Sequence, residues 1–355
     1  MYPALAVIQV LKENNKNISL LWVGSNDGLE SGLVKRAGIE FMGIPSAGLH
    51  GVGMKALPGN LHKLNKGFFA SKKILKDYKP DVLFFTGGYV AVPMALAGKK
   101  TPSVLYVPDI EPGQALKVLS RSASAIAVTS DETRSFLPEK KRICLTGYPT
   151  RPELSKWKRE DARKVFSLND QKPVLFIFGG SRGARSINKA IASHLPELLK
   201  TAQIIHVTGE LDWGDIQSSY TKLDPEMAKD YHITPYLHEE MGAAFAAADL
   251  VISRAGASTL GEFPLFGLPA VLVPYPYAWR YQIVNADYLV SKGAAILIQD
   301  ENLPDQIVPT VSELFSNSRK LSMMKENMKV LAEPGAAAKI AALIEELGSS
   351  EKAHD

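Results

Sequence analysis

The stretch VLFIFGGS, residues 174–181, decides the fold, and VLFFTGG at 82–88 and LVISRAGAS at 250–258 repeat its pattern. Each is a short apolar run without the alternation of a half-exposed strand, which is typical of a strand buried on both faces. A glycine-rich loop ends each run, and a helix-like segment follows. Strand, glycine turn and helix together present backbone N–H groups and the positive end of a helix dipole to a phosphate.

Polar residues after the third loop indicate what these loops bind. Glu262 lies about one helical turn beyond the loop, where a carboxylate can accept hydrogen bonds from both hydroxyls of a ribose, and Gln282 and Asn285 follow further on. The three loops and this carboxylate predict an enzyme that uses a nucleotide sugar. The sequence contains no Asp-x-Asp pair, which is the usual carboxylate cradle for a divalent metal. We therefore expect neither a metal nor another cofactor.

Composition limits the class of protein. The chain has 355 residues, 46% of them hydrophobic and 22% charged. This length predicts two folded domains of about 150 residues each. The only cysteine, Cys144, excludes a disulfide framework, and its place in a strand-like run predicts burial. The uncharged stretch at residues 263–279 contains four prolines and cannot form a membrane-spanning helix.

Charge is unevenly divided along the chain. Residues 1–150 contain 19 Lys and Arg against 11 Asp and Glu, whereas the remainder contains 22 against 26. The basic excess predicts that only the first half faces an anionic surface.

The segment LHKLNKGFFASKKILKDYK, residues 61–79, is typical of a basic amphipathic helix. We expect it to dock on an anionic membrane. The residues expected at that surface are Lys66, Phe68, Phe69, Lys72, Lys73 and Lys76. The alternative is an ordinary helix that packs its apolar face on the sheet and leaves its lysines in water. Gly67 weakens this helix and is a candidate for its start.

Apolar runs alternate with helix-like segments through both halves, which predicts an α/β fold with parallel sheets and right-handed crossovers. The expected strands lie within residues 19–24, 81–85, 102–107, 124–130, 173–178, 202–208, 232–237, 249–253, 269–275 and 294–299. Two prolines and a glycine in GYPTRP, residues 147–152, mark a linker. We expect domains at 1–147 and 148–333, then a C-terminal helix and tail at 334–355. Two doubly wound domains would place a ligand cleft at the carboxyl ends of their strands.

Motifs along nearly the whole chain resemble the MurG family, which adds N-acetylglucosamine to a membrane lipid intermediate of peptidoglycan. In family order they are YPALAV at 2–7, TGGYVAVP at 86–93, GYPTR at 147–151, GGSRGARSIN at 179–188, SRAGASTLGE at 253–262 and QIVNA at 282–286. The resemblance implies the GT-B fold, two Rossmann-like domains with an interdomain cleft. It places the acceptor and lipid on the first domain and the UDP-sugar on the second.

The resemblance also implies partners and roles. The partners are UDP-GlcNAc, an undecaprenyl-diphosphate-linked muramyl peptide and the anionic cytoplasmic face of the cell membrane, with no nucleic acid. Ser181 would bind a diphosphate oxygen, Arg151 would neutralise phosphate charge, and the backbone of Leu237 would contact uracil. The expected donor-binding set is Arg151, Ser181, Leu237, Ala257, Ser258, Thr259, Glu262 and Gln282. The expected acceptor-binding residues are Gly87, Gly88 and Tyr89.

Two departures from the family pattern lie near the expected site. Residues 107–113 replace a His-Glu-Gln-Asn stretch, and Asp109 and Glu111 are weak substitutes for the base. Pro264 lies inside the helix that carries Glu262, which predicts a kink and a displaced ribose contact.

A third departure concerns the beginning of the chain. The family pattern begins with a strand and a glycine loop whose histidine is the presumed base, and both would precede Tyr2. We therefore expect the chain as written to be N-terminally incomplete and poorly active.

The sequence as a whole predicts an inverting glycosyltransferase that moves N-acetylglucosamine from UDP-GlcNAc to the lipid-linked muramyl peptide, converting lipid I to lipid II. A base-activated hydroxyl would attack the anomeric carbon while UDP leaves toward the glycine loops. One alternative is another GT-B enzyme, either a glycolipid glycosyltransferase or a UDP-GlcNAc epimerase. The other is a non-catalytic UDP-sugar-binding subunit that works with a partner chain.

Overall fold

The computed structural model describes residues 1–26, 30–48, 57–180, 183–277 and 280–352. The chain divides into two compact units. Met1–Thr150 and Gly335–Asp355 form the first, and Arg151–Pro334 form the second. Every helix within the described ranges is too short or too polar to cross a membrane.

The first unit is an α/β unit with parallel strand pairing. Its strands are β1 (Leu21–Ser25), β2 (Glu40–Ile44), β3 (Leu83–Phe85), β4 (Ser103–Val107), β5 (Ala125–Val128) and β6 (Arg142–Leu145). Its helices before the last are α1 (Tyr2–Asn14), α2 (Ser31–Arg36), α3 (Leu57–Tyr78), α4 (Ala91–Ala97) and α5 (Gln114–Ser120). Two sheets result, β1–β2 and β3–β4–β5–β6.

Strand β4 shows why the larger sheet of this unit is buried on both faces. Leu105 and Val107 lie in a core cluster with residues of α4 and α5. Val104 and Tyr106 alternate with them and lie in a second cluster with residues of α1 and of the C-terminal helix. Helices on both faces of a parallel sheet explain the continuous apolar run in the sequence.

A cavity of about 1000 Å³ separates the two sheets of the first unit. Residues 21–24 of β1 and 83–85 of β3 both line it, together with residues of α1 and α3. Among the described residues, β1 pairs only with β2 and β3 pairs only with β4, so each strand has a free edge toward this cavity. Leu83 and Phe84 are therefore only half-buried, unlike the core strands of the second unit.

Two expectations for the first unit were wrong. Gly67 does not begin a helix but lies inside α3, and a Cβ on it would meet the carbonyl oxygen of Pro45 at 2.3 Å. The glycine thus permits a close approach between the helix and the segment after β2. Cys144 is half-buried rather than buried, because β6 is the edge strand of its sheet.

The second unit contains a single sheet among its described residues. Its strands are β7 (Val174–Phe178), β8 (Gln203–Val207), β9 (Tyr231–Thr234), β10 (Leu250–Ser253), β11 (Ala270–Leu272) and β12 (Ala295–Leu297). Its helices are α6 (Arg159–Val165), α7 (Arg185–Ser193), α8 (Leu195–Thr201), α9 (Trp213–Tyr220), α10 (Pro225–Ala228), α11 (Met241–Ala247), α12 (Thr259–Phe266), α13 (Tyr281–Ser291), α14 (Leu303–Ser316) and α15 (Ser318–Val330).

The strand order of this sheet is β12–β11–β10–β7–β8–β9, and every pairing is parallel. The chain winds outward from β7 to β9, returns to the middle and winds the other way from β10 to β12. This is the doubly wound order of dinucleotide-binding folds, with its topological switch point between β7 and β10. The α/β fold with two parallel-sheet units is confirmed, and all ten predicted strands are present, with β2 and β6 in addition.

The chain returns to the first unit at its end. Helix α16 (Ala336–Lys352) begins directly after Gly335, the residue at which the chain re-enters the first unit. Its Ile340 and Ile344 pack in one core cluster with Val7 and Leu11 of α1. The first unit is therefore completed by residues from both ends of the sequence.

Candidate functional site

The switch point brings two of the predicted glycine loops together. Phe178 at the end of β7 pairs with Ser253 at the end of β10, so the chain leaves the sheet at Gly179 and at Arg254 side by side. In open α/β sheets, ligands bind outside the carboxyl ends of the strands at this point. The topology thus locates a candidate ligand site within the second unit.

The first loop owes its tight path to glycine. A Cβ on Gly179 would lie 2.2 Å from the backbone nitrogen of Ala184, and one on Gly183 would lie 2.4 Å from the carbonyl oxygen of Thr208. Gly180 has a φ of +85°, a left-handed conformation that favours glycine. Helix α7 begins directly afterwards with Ala184 as its N-cap. The predicted donor residue Ser181 lies outside the described residues.

The second loop feeds a helix N-terminus into the same region. Helix α12 begins at Thr259 with Ser258 as its N-cap. The Thr259 hydroxyl donates to the Gly256 carbonyl oxygen at 2.7 Å, which fixes the turn before the helix. The predicted helix opening at Ala257–Thr259 is thus present, and the positive end of the helix dipole can face an anion there.

Glu262 lies in the first turn of α12 and is half-buried. Burial raises the pKa of its carboxyl group to about 7, and the charge of Arg151 and a hydrogen bond from Ser258 oppose this rise. A carboxylate held in such surroundings gains when ligand hydroxyls replace its lost water. Pro264 is accommodated within the same helix, which continues to Phe266.

Gln282 is oriented by a neighbouring loop. Its Oε1 accepts a hydrogen bond from the backbone N–H of Tyr275 at 2.9 Å, so its Nε2 can donate elsewhere. Asn285, one turn further along α13, is fully buried, and its Nδ2 donates to the carbonyl oxygen of Ala255 at 3.2 Å. Asn285 is thus neither on the helix surface nor a cap, since it ties α13 to the second glycine loop.

The remaining predicted donor residues lie at two other points of the second unit. Arg151 is the first residue of the unit, and its charge acts on Glu262. Leu237 is buried in the segment that follows β9. Both therefore follow the carboxyl end of a strand, β6 for Arg151 and β9 for Leu237.

A buried polar network of residues from β8, β9 and α7 lies next to the first glycine loop. His206 in β8 shares hydrogen bonds with the Tyr231 hydroxyl at 2.8 Å and with Asn188 Oδ1 at 3.0 Å. Asn188 in α7 donates to the Thr208 carbonyl oxygen and to Asp212, each at 2.8 Å. Complete burial lowers the pKa of His206 to about 3, so the ring stays neutral. His206 is thus a core residue with both ring nitrogens hydrogen-bonded.

Sequence reasoning missed a second cluster, formed by Arg254, Ser186 and Asp300. The Arg254 guanidinium donates to both the Ser186 hydroxyl and the Asp300 carboxylate, and the hydroxyl donates to Asp300 at 2.6 Å. Arg254 directly follows β10 inside the SRAG motif. The position of Arg254 directly after a central strand is the sequence feature that could have indicated this cluster.

The predicted acceptor residues lie in the first unit, after β3. Gly87 and Gly88 have φ of +100° and +86°, and Tyr89 is half-exposed just before α4. A Cβ on Gly48 would contact the Tyr89 ring at 2.6 Å, so this ring packs closely on the segment after β2. The loop therefore has glycine geometry, and it follows a strand that lines the cavity.

The two candidate substitutes for a base differ in their surroundings. Glu111 is buried, and its Oε1 accepts from the Lys117 ammonium at 3.0 Å. Asp109 is half-buried at the carboxyl end of β4 and contributes to the raised pKa of Tyr106. The Glu111 carboxylate is thus engaged by a lysine ammonium, which lowers its availability as a base.

Helix α3 presents the predicted membrane residues in two groups. Ile74 and Leu75 are half-buried and pack against the sheet core, as the alternative of an ordinary helix requires. Phe69 and Leu61, however, are each 62% exposed. The predicted lysines Lys66, Lys72, Lys73 and Lys76 are exposed as well, whereas Phe68 is half-buried with the Lys72 ammonium 5.1 Å from its ring centre.

Comparison with known proteins agrees with this arrangement. Residues 1–128 match the glycosyltransferase family 28 N-terminal domain, and residues 174–342 match the glycosyltransferase family 28 C-terminal domain. A protein of Roseiflexus sp. (strain RS-1), named UDP-N-acetylglucosamine–N-acetylmuramyl-(pentapeptide) pyrophosphoryl-undecaprenol N-acetylglucosamine transferase, is 36% identical over 98% of this chain and 92% of that protein. A Listeria monocytogenes serovar 1/2a protein of the same name is 36% identical over 96% of this chain and 94% of its own length.

Solved structures extend the comparison. Acinetobacter baumannii MurG has a TM-score of 0.75 and 27% identity over 97% of this chain and 95% of that protein. A UDP-GlcNAc 2-epimerase from Neisseria meningitidis has a TM-score of 0.69 at 13% identity over 97% and 96%, a likeness of fold alone.

Two parallel-sheet units, a switch point with paired glycine loops and these matches define a GT-B glycosyltransferase. The chain is a hexosyltransferase of glycosyltransferase family 28. Within that family it belongs to the N-acetylglucosaminyltransferases of peptidoglycan synthesis, the MurG family.

Proposed function

We propose that this chain transfers N-acetylglucosamine from UDP-N-acetylglucosamine to a muramyl-pentapeptide carried on undecaprenyl diphosphate. The observation that carries the proposal is the switch point of the second unit, where a glycine loop, a helix N-terminus and Glu262 meet. Relatives of nearly equal length share the printed activity at 34–38% identity. These relatives also supply the identity of the two substrates.

In the proposed donor site, each predicted residue has a separate task. Glu262 accepts hydrogen bonds from the ribose hydroxyls, and the Leu237 backbone contacts uracil. The N-terminus of α12 and Arg151 face the diphosphate, where positive charge stabilises the leaving group. Gln282 donates from Nε2 to the hydroxyls of the sugar.

The proposed reaction is a single displacement with inversion. The acceptor hydroxyl loses its proton to a base and forms a bond to the anomeric carbon as the bond from that carbon to the diphosphate oxygen breaks. The electron pair of the broken bond leaves with UDP. Asp109 and Glu111 are the two candidate substitutes for the base, and Gly87, Gly88 and Tyr89 are proposed to hold the acceptor.

A transfer assay with the purified chain tests the proposal. We expect UDP release only when UDP-GlcNAc and the lipid-linked acceptor are both present, and Glu262→Ala should weaken UDP binding by about 1.5–3 kcal/mol for each lost charge-assisted hydrogen bond. Glu226→Ala, an exposed carboxylate in α10, is the matched control. Epimerisation of UDP-GlcNAc without acceptor would support the epimerase instead. Binding of UDP-GlcNAc with no turnover would support a non-catalytic subunit.

We also propose that α3 attaches the chain to the anionic cytoplasmic face of the cell membrane. Phe69 and Leu61 are exposed apolar side chains on a helix whose lysines are exposed, and such a helix suits a lipid surface. Each lysine near anionic headgroups contributes about 1 kcal/mol.

Vesicle sedimentation tests this attachment. Binding should rise with the anionic lipid fraction and fall when Lys72, Lys73 and Lys76 are all changed to Glu. The control changes Lys320, Lys325 and Lys329 of α15 in the same way and should bind as the parent chain does. Equal binding to neutral and anionic vesicles would reject the proposal.

A further inference from the structure

Arg254 stands at the carboxyl end of β10 with nearly all of its guanidinium enclosed, since its side chain is only 11% exposed. Its Nη1 donates to the carbonyl oxygens of Val273 at 3.0 Å and Pro274 at 3.4 Å, and also to the Asp300 carboxylate. Its Nη2 donates to the Ser186 hydroxyl at 2.7 Å. The charge is thus neutralised by a carboxylate, and the donors are directed at protein acceptors.

These partners belong to three strand–loop junctions other than that of Arg254 itself. Ser186 lies in the first turn of α7, directly after the first glycine loop. Val273 and Pro274 follow β11, and Asp300 follows β12. One side chain therefore joins the carboxyl ends of neighbouring strands across the switch point.

The same side chain reaches Gln282 through one intermediate residue. The Arg254 guanidinium lies 5.3 Å from the centre of the Tyr275 ring, a cation–π contact. The backbone N–H of Tyr275 donates to Gln282 Oε1. Because Pro274 and Tyr275 are adjacent, Arg254 holds both the backbone and the ring of the loop that orients Gln282.

We propose that Arg254 is a positioning residue for donor binding, which sets the Gln282 amide relative to the phosphate-facing turn at Ala257–Thr259. This inference rests on the proposed function. It assigns Arg254 a different task from Arg151, whose charge is proposed to act on the diphosphate directly. A direct phosphate role for Arg254 would have to use the N–H groups that do not already donate to Asp300, Ser186 and the two carbonyl oxygens.

The two roles predict different ligand dependence. A positioning residue that acts through Gln282 affects the sugar part of the donor, whereas a phosphate ligand affects UDP and UDP-GlcNAc alike. Lysine keeps the charge of arginine but cannot donate along several directions from one planar group. Arg254→Lys is therefore the informative substitution.

Calorimetric titration with UDP and with UDP-GlcNAc, using the full chain, tests this. Arg254→Lys should weaken UDP-GlcNAc binding about tenfold, the loss expected for one hydrogen bond at the sugar, and UDP binding less than about twofold. In the Gln282→Ala background, Arg254→Lys should have little further effect on UDP-GlcNAc binding, because residues that act through one another are not additive. Equal weakening of UDP, or additive losses, would overturn the inference in favour of direct phosphate contact.

Arg159 offers a matched control at the opposite end of the same strand. It donates to the Ala248 carbonyl oxygen at 3.2 Å and to Asp249 at 2.7 Å, before β10 begins. Arg159→Lys removes a similar arginine bridge and should leave both affinities unchanged, with thermal melting of each variant reporting its folding. Equal loss of affinity in both variants would reject a specific role for Arg254. If the parent chain binds no uridine nucleotide, the proposed function fails, whereas normal donor binding by Arg254→Lys rejects this inference alone.

Discussion

The two units use the same parallel α/β arrangement, yet their sheets differ in continuity. In the second unit, β7 and β10 are paired on both sides and buried, and the half-buried side chains of Arg254 and Ser186 join the segments that follow them. In the first unit, β3 is paired on one side among the described residues and faces a cavity of about 1000 Å³. A loop after a doubly paired strand starts from a fixed position, whereas a loop after an edge strand has a less constrained one.

This difference bears on the two halves of the reaction. Apart from Arg151, the candidate donor residues follow strands of the second unit, whose central strands are paired on both sides. The candidate acceptor residues follow β3 of the first unit, which lines the cavity. The donor loops are already ordered in the folded chain, so the donor should bind with little rearrangement and little loss of conformational entropy. The acceptor loop should depend more on its ligand for order.

The largest expected effect tests the buried network of the second unit in acid. His206 has a pKa lowered to about 3 by burial, against 6.5 when exposed. As the pH falls below 6.5, the unfolded chain takes up a proton that the folded chain does not, so the free energy of unfolding should decrease by on the order of 4 kcal/mol toward pH 3. Urea unfolding of the full chain at several pH values measures the slope. His206→Gln should flatten it, and an unchanged slope would show that this residue is not the cause.

The next effect concerns the tight path of the first glycine loop. In Gly179→Ala, the new Cβ would lie 2.2 Å from the Ala184 nitrogen, so the backbone must move. UDP affinity should fall by at least about 100-fold, or about 2.7 kcal/mol, as measured by calorimetry. Gly214→Ala in α9, where an added Cβ meets nothing within 4 Å, is the control and should bind normally. Normal binding by Gly179→Ala would mean that the donor site is not preformed.

A smaller effect follows from the titration of Glu262. Because burial raises its pKa to about 7, donor binding that requires the carboxylate must release a proton at lower pH. UDP affinity should therefore fall about tenfold for each pH unit below 7, and it should be nearly constant above pH 8. Glu262→Gln should bind weakly at every pH without this slope. A parent chain that binds equally at pH 6 and pH 8 would contradict the ribose role.

The smallest effect belongs to the acceptor loop. In Gly88→Ala, the added Cβ meets nothing within 4 Å, so only the left-handed φ of +86° opposes it. The cost should be about 1 kcal/mol. Transfer should slow at low acceptor concentration, while UDP binding stays unchanged. If Gly88→Ala reduced the transfer rate by a larger factor than Gly179→Ala reduces UDP affinity, the loop of the first unit would be the more constrained of the two. That result would contradict this comparison of the two units.

Much of the fold could be predicted because its strands are continuous apolar runs. Such runs as 174–178 and 250–253 stand out from any flanking segment, and glycine marks their ends. Strand β2 could not be found in this way, since Glu40, Met42 and Gly43 are exposed. Its pairing with β1, and not its own composition, makes it a strand.

The candidate site was predictable where function depends on local spacing. Glu262 follows its loop by one turn, so the sequence alone places it at the helix N-terminus. The cluster of Arg254, Ser186 and Asp300 could not be predicted from the sequence. Its members are separated by 46 to 114 positions and come together only when the sheet forms. Asn285 was singled out in the sequence, but its buried hydrogen bond to the Ala255 carbonyl oxygen could not be predicted, because the two residues are 30 positions apart.

The return of α16 to the first unit has a consequence for synthesis. The second unit, Arg151–Pro334, is inserted between the two segments that form the first unit. All of its residues are therefore synthesised before α16 begins at Ala336. Domains fold as units while the chain emerges from the ribosome. The core around Val7 and Leu11 therefore stays incomplete until Ile340 and Ile344 are made, and the unit that begins second can finish folding earlier.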